Sequence, residues 1–297
     1  MSRDNPHASH AGRRLVTGVP YLWLLVFFLA PFAIVFGISL SKARFGVPPY
    51  EPLLQNGEVI AQWGNYAFLL EDPLYLTALL NSIQIATTSA AICLLIGYPM
   101  ALGIARAPDR WRSPLLLAVI LPFWTSFLIR VYAWMGLLKN EGLINSLLLA
   151  LGIVDQPVQM LQTGFAVHLG IVYSYLPFMV LPLYATLERM DLSLLEAASD
   201  LGARPWRAFL TITLPLSLPG VVAGFLLVFI PAVGEFVIPE LLGSSRTIMI
   251  GKVLWTEFFN NRDWPLASAL AVAMLLLIVA PLAWLESLRV RRRGAAR

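Results

Sequence analysis

Six long stretches without Asp, Glu, Lys or Arg constrain this 297-residue chain more than any other feature of its sequence. A helix needs roughly 20 apolar residues to cross a hydrocarbon core. Five stretches reach that length, and the third continues past Arg130 to Leu138 without another charge. The stretches are 15–41, 73–105, 113–129, 156–187, 208–234 and 265–285. We therefore predict an all-α, polytopic membrane protein with six transmembrane helices near 20–41, 77–104, 115–137, 166–187, 213–235 and 266–286.

The composition supports the same class. Hydrophobic residues make up 58% of the chain and charged residues 13%, against about 25% charged residues in a typical soluble domain. This balance argues against a soluble enzyme, a disordered chain or a disulfide scaffold. The single cysteine, Cys93, lies in an apolar stretch, and the three histidines are scattered, so we expect no metal site.

The basic residues predict an orientation. Lys and Arg are enriched in cytoplasmic loops, and fourteen of the 21 fall on one side if the N-terminus is cytoplasmic. An even number of spans returns the C-terminus to that side. The predicted organisation is a cytoplasmic tail at 1–19, a six-helix domain at 20–287 with a cytoplasmic loop at 188–212, and a basic cytoplasmic tail at 288–297.

The 188–212 loop carries the clearest local pattern. Ser193 with Glu196 three residues later predicts a capping box that starts a helix at about Leu194. Gly202 is suited to the left-handed residue that ends this helix, and Pro205 to the first turn of a second one. The first helix has one small apolar face, formed by Leu194, Ala197, Ala198 and Leu201. From pattern alone, this face either enters a groove of another protein or packs on its own bundle.

The same loop resembles a known family. Glu196-Ala197-Ala198, Gly202 and the Ile212–Pro215 segment are similar to the EAA motif of inner-membrane permease subunits of bacterial ATP-binding cassette (ABC) importers. Segments 121–134, 234–243 and 255–264 resemble the polyamine branch, and within it the putrescine permeases. The resemblance implies the type I importer (MetI-like) fold and a location in the bacterial inner membrane. It also implies a coupling helix that binds the ATPase subunit through Leu194, Glu196, Ala197, Ala198, Asp200, Leu201 and Gly202.

The family also implies the partners and the energy source. The partners are a second permease subunit, which forms a heterodimer with this chain, two ABC ATPase subunits that bind ATP and Mg²⁺, a periplasmic substrate-binding protein and membrane lipid. No nucleic acid is expected. The chain itself has no phosphate-binding Gly-x-x-x-x-Gly-Lys-Ser/Thr, because Lys252 is followed by Val253. We therefore predict no catalytic residue, no cofactor and no enzymatic activity of its own. The alternatives are a permease for spermidine or another small solute, a secondary transporter of a small cation, and a membrane enzyme.

Two ionisable residues near the ends of predicted spans are candidates for the substrate pathway, since such groups are costly in lipid and face protein or water. Arg130 either extends to the headgroups or pairs with a carboxylate. Glu235, with Glu240 nearby, could attract a cationic amine, and aromatic rings could add cation–π contacts. The further candidates are Trp124, Tyr132, Trp134 and Phe236. Prolines within the predicted spans indicate interrupted helices around a pathway.

Overall fold

A computed structural model describes residues 10–55 and 58–295, with side chains described within 16–54 and 58–280. Its regular structure is helical apart from a short hairpin, β1 (Leu54–Gln55) paired antiparallel with β2 (Glu58–Val59). The helices in chain order are α1 (His10–Leu24), α2 (Ala30–Ser39), α3 (Gly64–Glu71), α4 (Pro73–Ala105), α5 (Asp109–Ile120), α6 (Phe127–Leu138), α7 (Leu143–Ala150), α8 (Gly164–Glu188), α9 (Ser193–Asp200), α10 (Pro205–Ala208), α11 (Leu214–Val233), α12 (Val237–Leu242), α13 (Ile250–Trp255) and α14 (Trp264–Ala295).

The chain divides into two compact units, which are described separately: residues 1–72 with 254–297, and residues 73–253. In the first unit a π-helical segment, Leu25–Leu29, joins α1 to α2, and α14 packs on α2 and α3. Asn65 donates its amide to the carbonyls of Ser39 and Ser41, at 2.8 and 2.9 Å. Carbonyl groups at and just after the buried end of α2, which lack partners within the helix, thereby gain hydrogen bonds.

In the second unit α4, α8 and α11 pack side by side because small residues line their contacts. Both Gly97 of α4 and Gly224 of α11 lie against Met179 of α8, where an added Cβ would come within 3.0 and 2.8 Å of its side chain. Tyr98 and Ser217 join α4 to α11 through a buried hydroxyl pair at 2.8 Å. The core of this unit is therefore a closely packed set of three helices.

Four helices of the described residues are long and apolar enough to cross a membrane: Val16–Ser39, Pro73–Ala105, Gly164–Glu188 and Pro205–Val233. A bent pair, Asp109–Trp124 with Phe127–Ala150, counts as a fifth if it is one span. The start of α14, Trp264–Ala280, is apolar but shorter. Each of the six predicted segments contains helix, and the all-α polytopic fold class is confirmed.

The third predicted span, 115–137, is wrong as a continuous helix. After α5 the chain forms one 3₁₀ turn, Leu121–Trp124, and then adopts extended dihedral angles at Thr125 and Ser126 before α6 begins. The helical parts on either side differ in direction by 88°. The other prolines expected to interrupt spans, such as Pro99, lie inside continuous helices.

The predicted tails fall largely beyond what the structure describes. Residues 1–9 lie outside the described residues, and 10–19 already belong to α1. At the other end the backbone of α14 continues to Ala295, whereas the arginine side chains of the predicted 288–297 tail are not among those described.

Candidate functional site

The connection between α8 and α11 contains the helix that the sequence predicts, but it begins differently. Helix α9 starts at Ser193, one residue before the predicted start, and has no side-chain cap from Ser193 or Glu196. Instead, the Ser193 backbone N–H donates to Oδ1 of Asp191 at 3.0 Å. This hydrogen bond lowers the pKa of Asp191, because it favours the ionised carboxylate. The predicted capping box is therefore wrong, and Asp191 replaces it.

The end of α9 follows the prediction. Gly202 has φ +76°, and its N–H donates to the Ser199 carbonyl while the next N–H, of Ala203, donates to the Ala198 carbonyl. This left-handed residue reverses the chain, and Pro205 then occupies the first turn of α10. A π-helical segment, Phe209–Thr213, links α10 to α11. Two short helices joined by a glycine turn therefore separate two long apolar helices.

The two sides of α9 have different environments. Leu195 and Ser199 face the rest of the second unit, where they line a cavity with the end of α4. The predicted binding face points away from that contact: Leu194 and Ala197 are exposed, and Leu201 is 88% exposed. Glu196 and Asp200 are also exposed, and Ala198 is half-buried. An apolar face thus lies open on α9, while Leu195 and Ser199 border the cavity on another side of the helix.

Arg130 occupies the bend after α5. Its side chain is only 8% exposed, and its Nη1 donates to the carbonyls of Pro122 and Thr125 at 2.5 and 3.2 Å. The guanidinium also lies over the rings of Phe123 and Phe127. Carbonyls at the end of a helix lack intrahelical partners and carry partial negative charge, so they suit a cation. In this structure Arg130 binds backbone carbonyls, neither reaching outward nor pairing with a carboxylate.

Glu235 lies just before α12 and is 7% exposed. Its Oε1 accepts from the backbone N–H groups of Val237 and Ile238 at 3.0 and 3.4 Å, and its Oε2 accepts from the hydroxyl of Tyr175 on α8. The carboxylate therefore caps α12 and links it to α8. Glu240 is separate from this pair: its side chain is about half exposed and forms an ion pair with Lys252 at 2.9 Å.

The predicted aromatic candidates do not gather around Glu235. Trp124 and Tyr132 are largely exposed, and Trp134 packs edge-to-face on Tyr173. Phe236 is half-buried and follows Glu235 in the chain. Within the described residues, the rings of Trp124, Tyr132 and Trp134 have no ring contact with Tyr175.

A different aromatic series connects the two ionisable residues. The Arg130 guanidinium lies 4.8 Å from the Phe123 ring, whose centroid is 5.3 Å from that of Phe178. The Phe178 centroid is in turn 6.1 Å from that of Tyr175, which donates to Glu235. Neither Tyr175 nor Phe178 is among the site residues predicted from the sequence. One signal was present, since a tyrosine and a phenylalanine three residues apart lie on one face of a helix.

No cluster of His, Cys, Asp and Glu suited to a metal occurs within residues 10–55 and 58–295. Cys93 is buried, and His168 lies between Thr88 and the Gly164 carbonyl at 2.7 Å from each. The candidate site is therefore made of the open face of α9 and the Arg130–Glu235 aromatic series.

Comparison with known proteins places the chain among membrane transport components. Residues 94–293 match the family described as "Binding-protein-dependent transport system inner membrane component". The chain is 40% identical over 259 residues to the spermidine/putrescine transport system permease protein PotB of Salmonella typhimurium strain LT2, covering 86% of each protein. It is 37% identical to the Haemophilus influenzae PotB over 90% of each. It is also 31% identical to the Escherichia coli inner membrane ABC transporter permease protein YdcU, over 74% of each.

The fold is similar to that of a solved transporter. A chain of a bacterial ABC transporter involved in the import of the acidic polysaccharide alginate matches with a TM-score of 0.65 at 16% identity, covering 94% of this chain and 96% of that one. At this identity the match concerns the fold alone. A chain of a bacterial alginate ABC transporter, solved in complex with an alginate pentasaccharide-bound periplasmic protein, matches with a TM-score of 0.64 at 17% identity, covering 94% of this chain and 96% of that one.

Proposed function

Because the chain belongs to the family of binding-protein-dependent transport system inner membrane components, we propose that it forms half of the channel of an ATP-driven importer for putrescine. It is an inner-membrane ABC permease of the polyamine branch, as its identity to the PotB proteins indicates. The proposal adds the preferred substrate, the route of energy transfer and the partners. Its main structural support is the exposed apolar face of α9.

Energy transfer depends on what α9 touches. On its Leu194–Leu201 face, Leu194, Ala197 and Leu201 are exposed, while Leu195 and Ser199 line a cavity that also includes Arg106. We assign this face to a groove of a separate ATPase subunit, which holds ATP and Mg²⁺. When the two ATPase subunits close on ATP, they move α9, and the Gly202 turn, α10 and the π-helical segment carry that displacement into α11. The result is a shift between inward-facing and outward-facing states, driven by contacts that differ between them.

The substrate pathway needs groups that recognise an alkyl diammonium ion. Glu235 accepts hydrogen bonds from neutral donors, namely Tyr175 and two backbone N–H groups, and no cationic side chain is among these partners. Phe178 and Phe123 extend an aromatic surface from this carboxylate, and each cation–π contact is worth about 0.5–2 kcal/mol. We assign the ammonium-binding role to Glu235 and these rings, whereas Arg130 maintains the bend beside them.

The complete importer would contain three further kinds of subunit. A related second permease completes the channel, two ATPase subunits bind α9 from the cytoplasm, and a periplasmic binding protein delivers the polyamine. Both termini of this chain then lie in the cytoplasm, as the distribution of lysine and arginine predicts.

The decisive experiment measures labelled putrescine uptake in a strain that lacks its own polyamine importers and expresses this chain with its neighbouring subunits. We expect uptake that survives a protonophore while ATP is maintained, stops when ATP is depleted, and is inhibited less by spermidine than by unlabelled putrescine. Uptake that follows the proton gradient would instead indicate a secondary transporter. If spermidine inhibits uptake more strongly than unlabelled putrescine does, the chain is still part of an ATP-driven importer, but its preferred substrate is spermidine.

A further inference from the structure

A cavity of about 250 Å³ lies between α9, α10 and the end of α4, and nothing in the transport mechanism uses it. Its wall includes Arg106, Leu195, Ser199, Pro205, Phe209 and Thr213. This volume is several times the roughly 30 Å³ that one water molecule occupies in the liquid. The cavity therefore has room for a small polyatomic ligand.

All the polar side chains on its wall can donate hydrogen bonds. Arg106 contributes a guanidinium, which carries up to five N–H donors and no acceptor. No carboxylate of the described residues forms an ion pair with it, and no carboxylate lines the cavity. Ser199 and Thr213 contribute hydroxyl groups. A guanidinium with two hydroxyls is a donor set for an oxyanion, and planar guanidinium groups are especially suited to phosphate.

Thr213 gives a second and independent indication. It is fully buried, and its hydroxyl has no hydrogen-bond partner in the part of the chain that the structure describes. A buried hydroxyl without a partner is costly, so the position requires one. Thr213 also ends the π-helical segment Phe209–Thr213, and such local insertions into a helix occur frequently at functional sites.

We propose that this cavity binds a phosphate group, with Arg106 as its main contact and the hydroxyls of Ser199 and Thr213 as further donors. Two sources share this chemistry: the headgroup of an anionic phospholipid and a free phosphate. Arg106 directly follows the 33-residue apolar helix α4, which is where a headgroup would lie, and Leu195 and Phe209 provide an apolar wall beside it. Because α9 forms part of the wall, an occupied cavity would tie α9 to α4.

Binding can be tested on the purified full-length chain alone, so the result does not depend on the proposed transport function. Inorganic phosphate is titrated in neutral detergent at constant ionic strength, with chloride as the balancing anion, and the thermal midpoint is measured. In parallel, the chain is placed in phosphatidylcholine nanodiscs with and without phosphatidylglycerol. The variants are Arg106→Gln, Thr213→Val and, as the matched control, Arg110→Gln, an exposed arginine that does not line the cavity.

We expect the added ligand to raise the thermal midpoint saturably in the unmodified chain and in Arg110→Gln. The affinity for that ligand should be about tenfold weaker in Arg106→Gln and about fivefold weaker in Thr213→Val. A response to phosphatidylglycerol alone would support the site and identify a lipid headgroup, and a response to inorganic phosphate alone would support it with a free anion. Without ligand, Thr213→Val should be no less stable than the parent, which shows that the variant folds. No response to either probe, or an equal loss in Arg106→Gln and Arg110→Gln, would overturn the proposal.

Discussion

Tyr175, in the middle of α8, donates its hydroxyl to Oε2 of Glu235, in the turn before α12. The other oxygen of the same carboxylate accepts from the backbone N–H groups of Val237 and Ile238. One buried side chain therefore has two separable properties, a negative charge and a capping geometry.

Glu235→Gln separates these two properties. The amide oxygen can still accept from Val237, so the chain should assemble normally, but the charge that attracts an ammonium ion is lost. Because a hydrogen bond to a charged group is worth about 1.5–3 kcal/mol, we expect the KM for putrescine uptake to rise roughly 10- to 100-fold. Glu257→Gln, at a glutamate that is equally buried but outside the proposed pathway, is the control. Unchanged uptake kinetics in Glu235→Gln would remove Glu235 from the substrate path.

Gly202 is a turn residue whose conformation, rather than its surroundings, excludes a side chain. Its φ is +76°, yet a Cβ there would have no atom within 4 Å. Gly202→Ala should cost about 1–2 kcal/mol, and the β-branched Gly202→Val more, because both must adopt left-handed dihedral angles. We expect Gly202→Val to hydrolyse ATP in the complex while moving less putrescine for each ATP. Gly103→Ala, at a helical glycine that also has open space, should leave that ratio unchanged.

Leu201 is the most exposed side chain on the open face of α9. Leu201→Ser should hardly change the stability of the chain, since the side chain is 88% exposed and contributes little buried area. It should nevertheless reduce co-purification of the ATPase subunit several-fold, because the apolar contact with the partner is lost. Leu70→Ser, at a leucine that is 85% exposed on α3, is the matched control. Equal recovery of the ATPase with both variants would place the docking face elsewhere.

Arg130 is predicted to stabilise the bend rather than to carry charge for transport. Arg130→Lys keeps the charge but loses the planar guanidinium. An ammonium ion cannot both donate to the carbonyls of Pro122 and Thr125 and stack over the ring of Phe123 as that group does. We expect a loss of about 1–3 kcal/mol in stability, measured as faster thermal inactivation. Arg110→Lys, at an exposed arginine, should have no such effect. If Arg130→Lys is as stable as the parent and only slows uptake, the residue acts on the substrate.

The sequence predicted those features that depend on local chemistry. Apolar stretches indicate helices because every backbone group must be satisfied in lipid, and helices occupy most of each of the six stretches. The turn at Gly202 and the start of α10 at Pro205 could also be predicted from the sequence. Glycine is the residue that most readily adopts left-handed dihedral angles, and the fixed φ of proline suits the first turn of a helix.

Features that depend on a choice among local or distant partners were missed. Ser193 and Asp191 are both acceptable caps, and only the backbone geometry shows that Asp191 is used. Among the prolines inside the predicted spans, Pro122 lies at a break in the helix, where Arg130 donates to the carbonyls of Pro122 and Thr125. The Tyr175–Glu235 bond joins residues 60 positions apart, which no periodicity reveals.

The contacts of Met179 with Gly97 and Gly224 have a mechanical consequence. Backbones that approach this closely cannot slide past one another without a steric clash, so α4, α8 and α11 behave as a rigid body between their ends. Spin labels attached to exposed positions of α8 and α11 should then keep one fixed separation throughout the transport cycle.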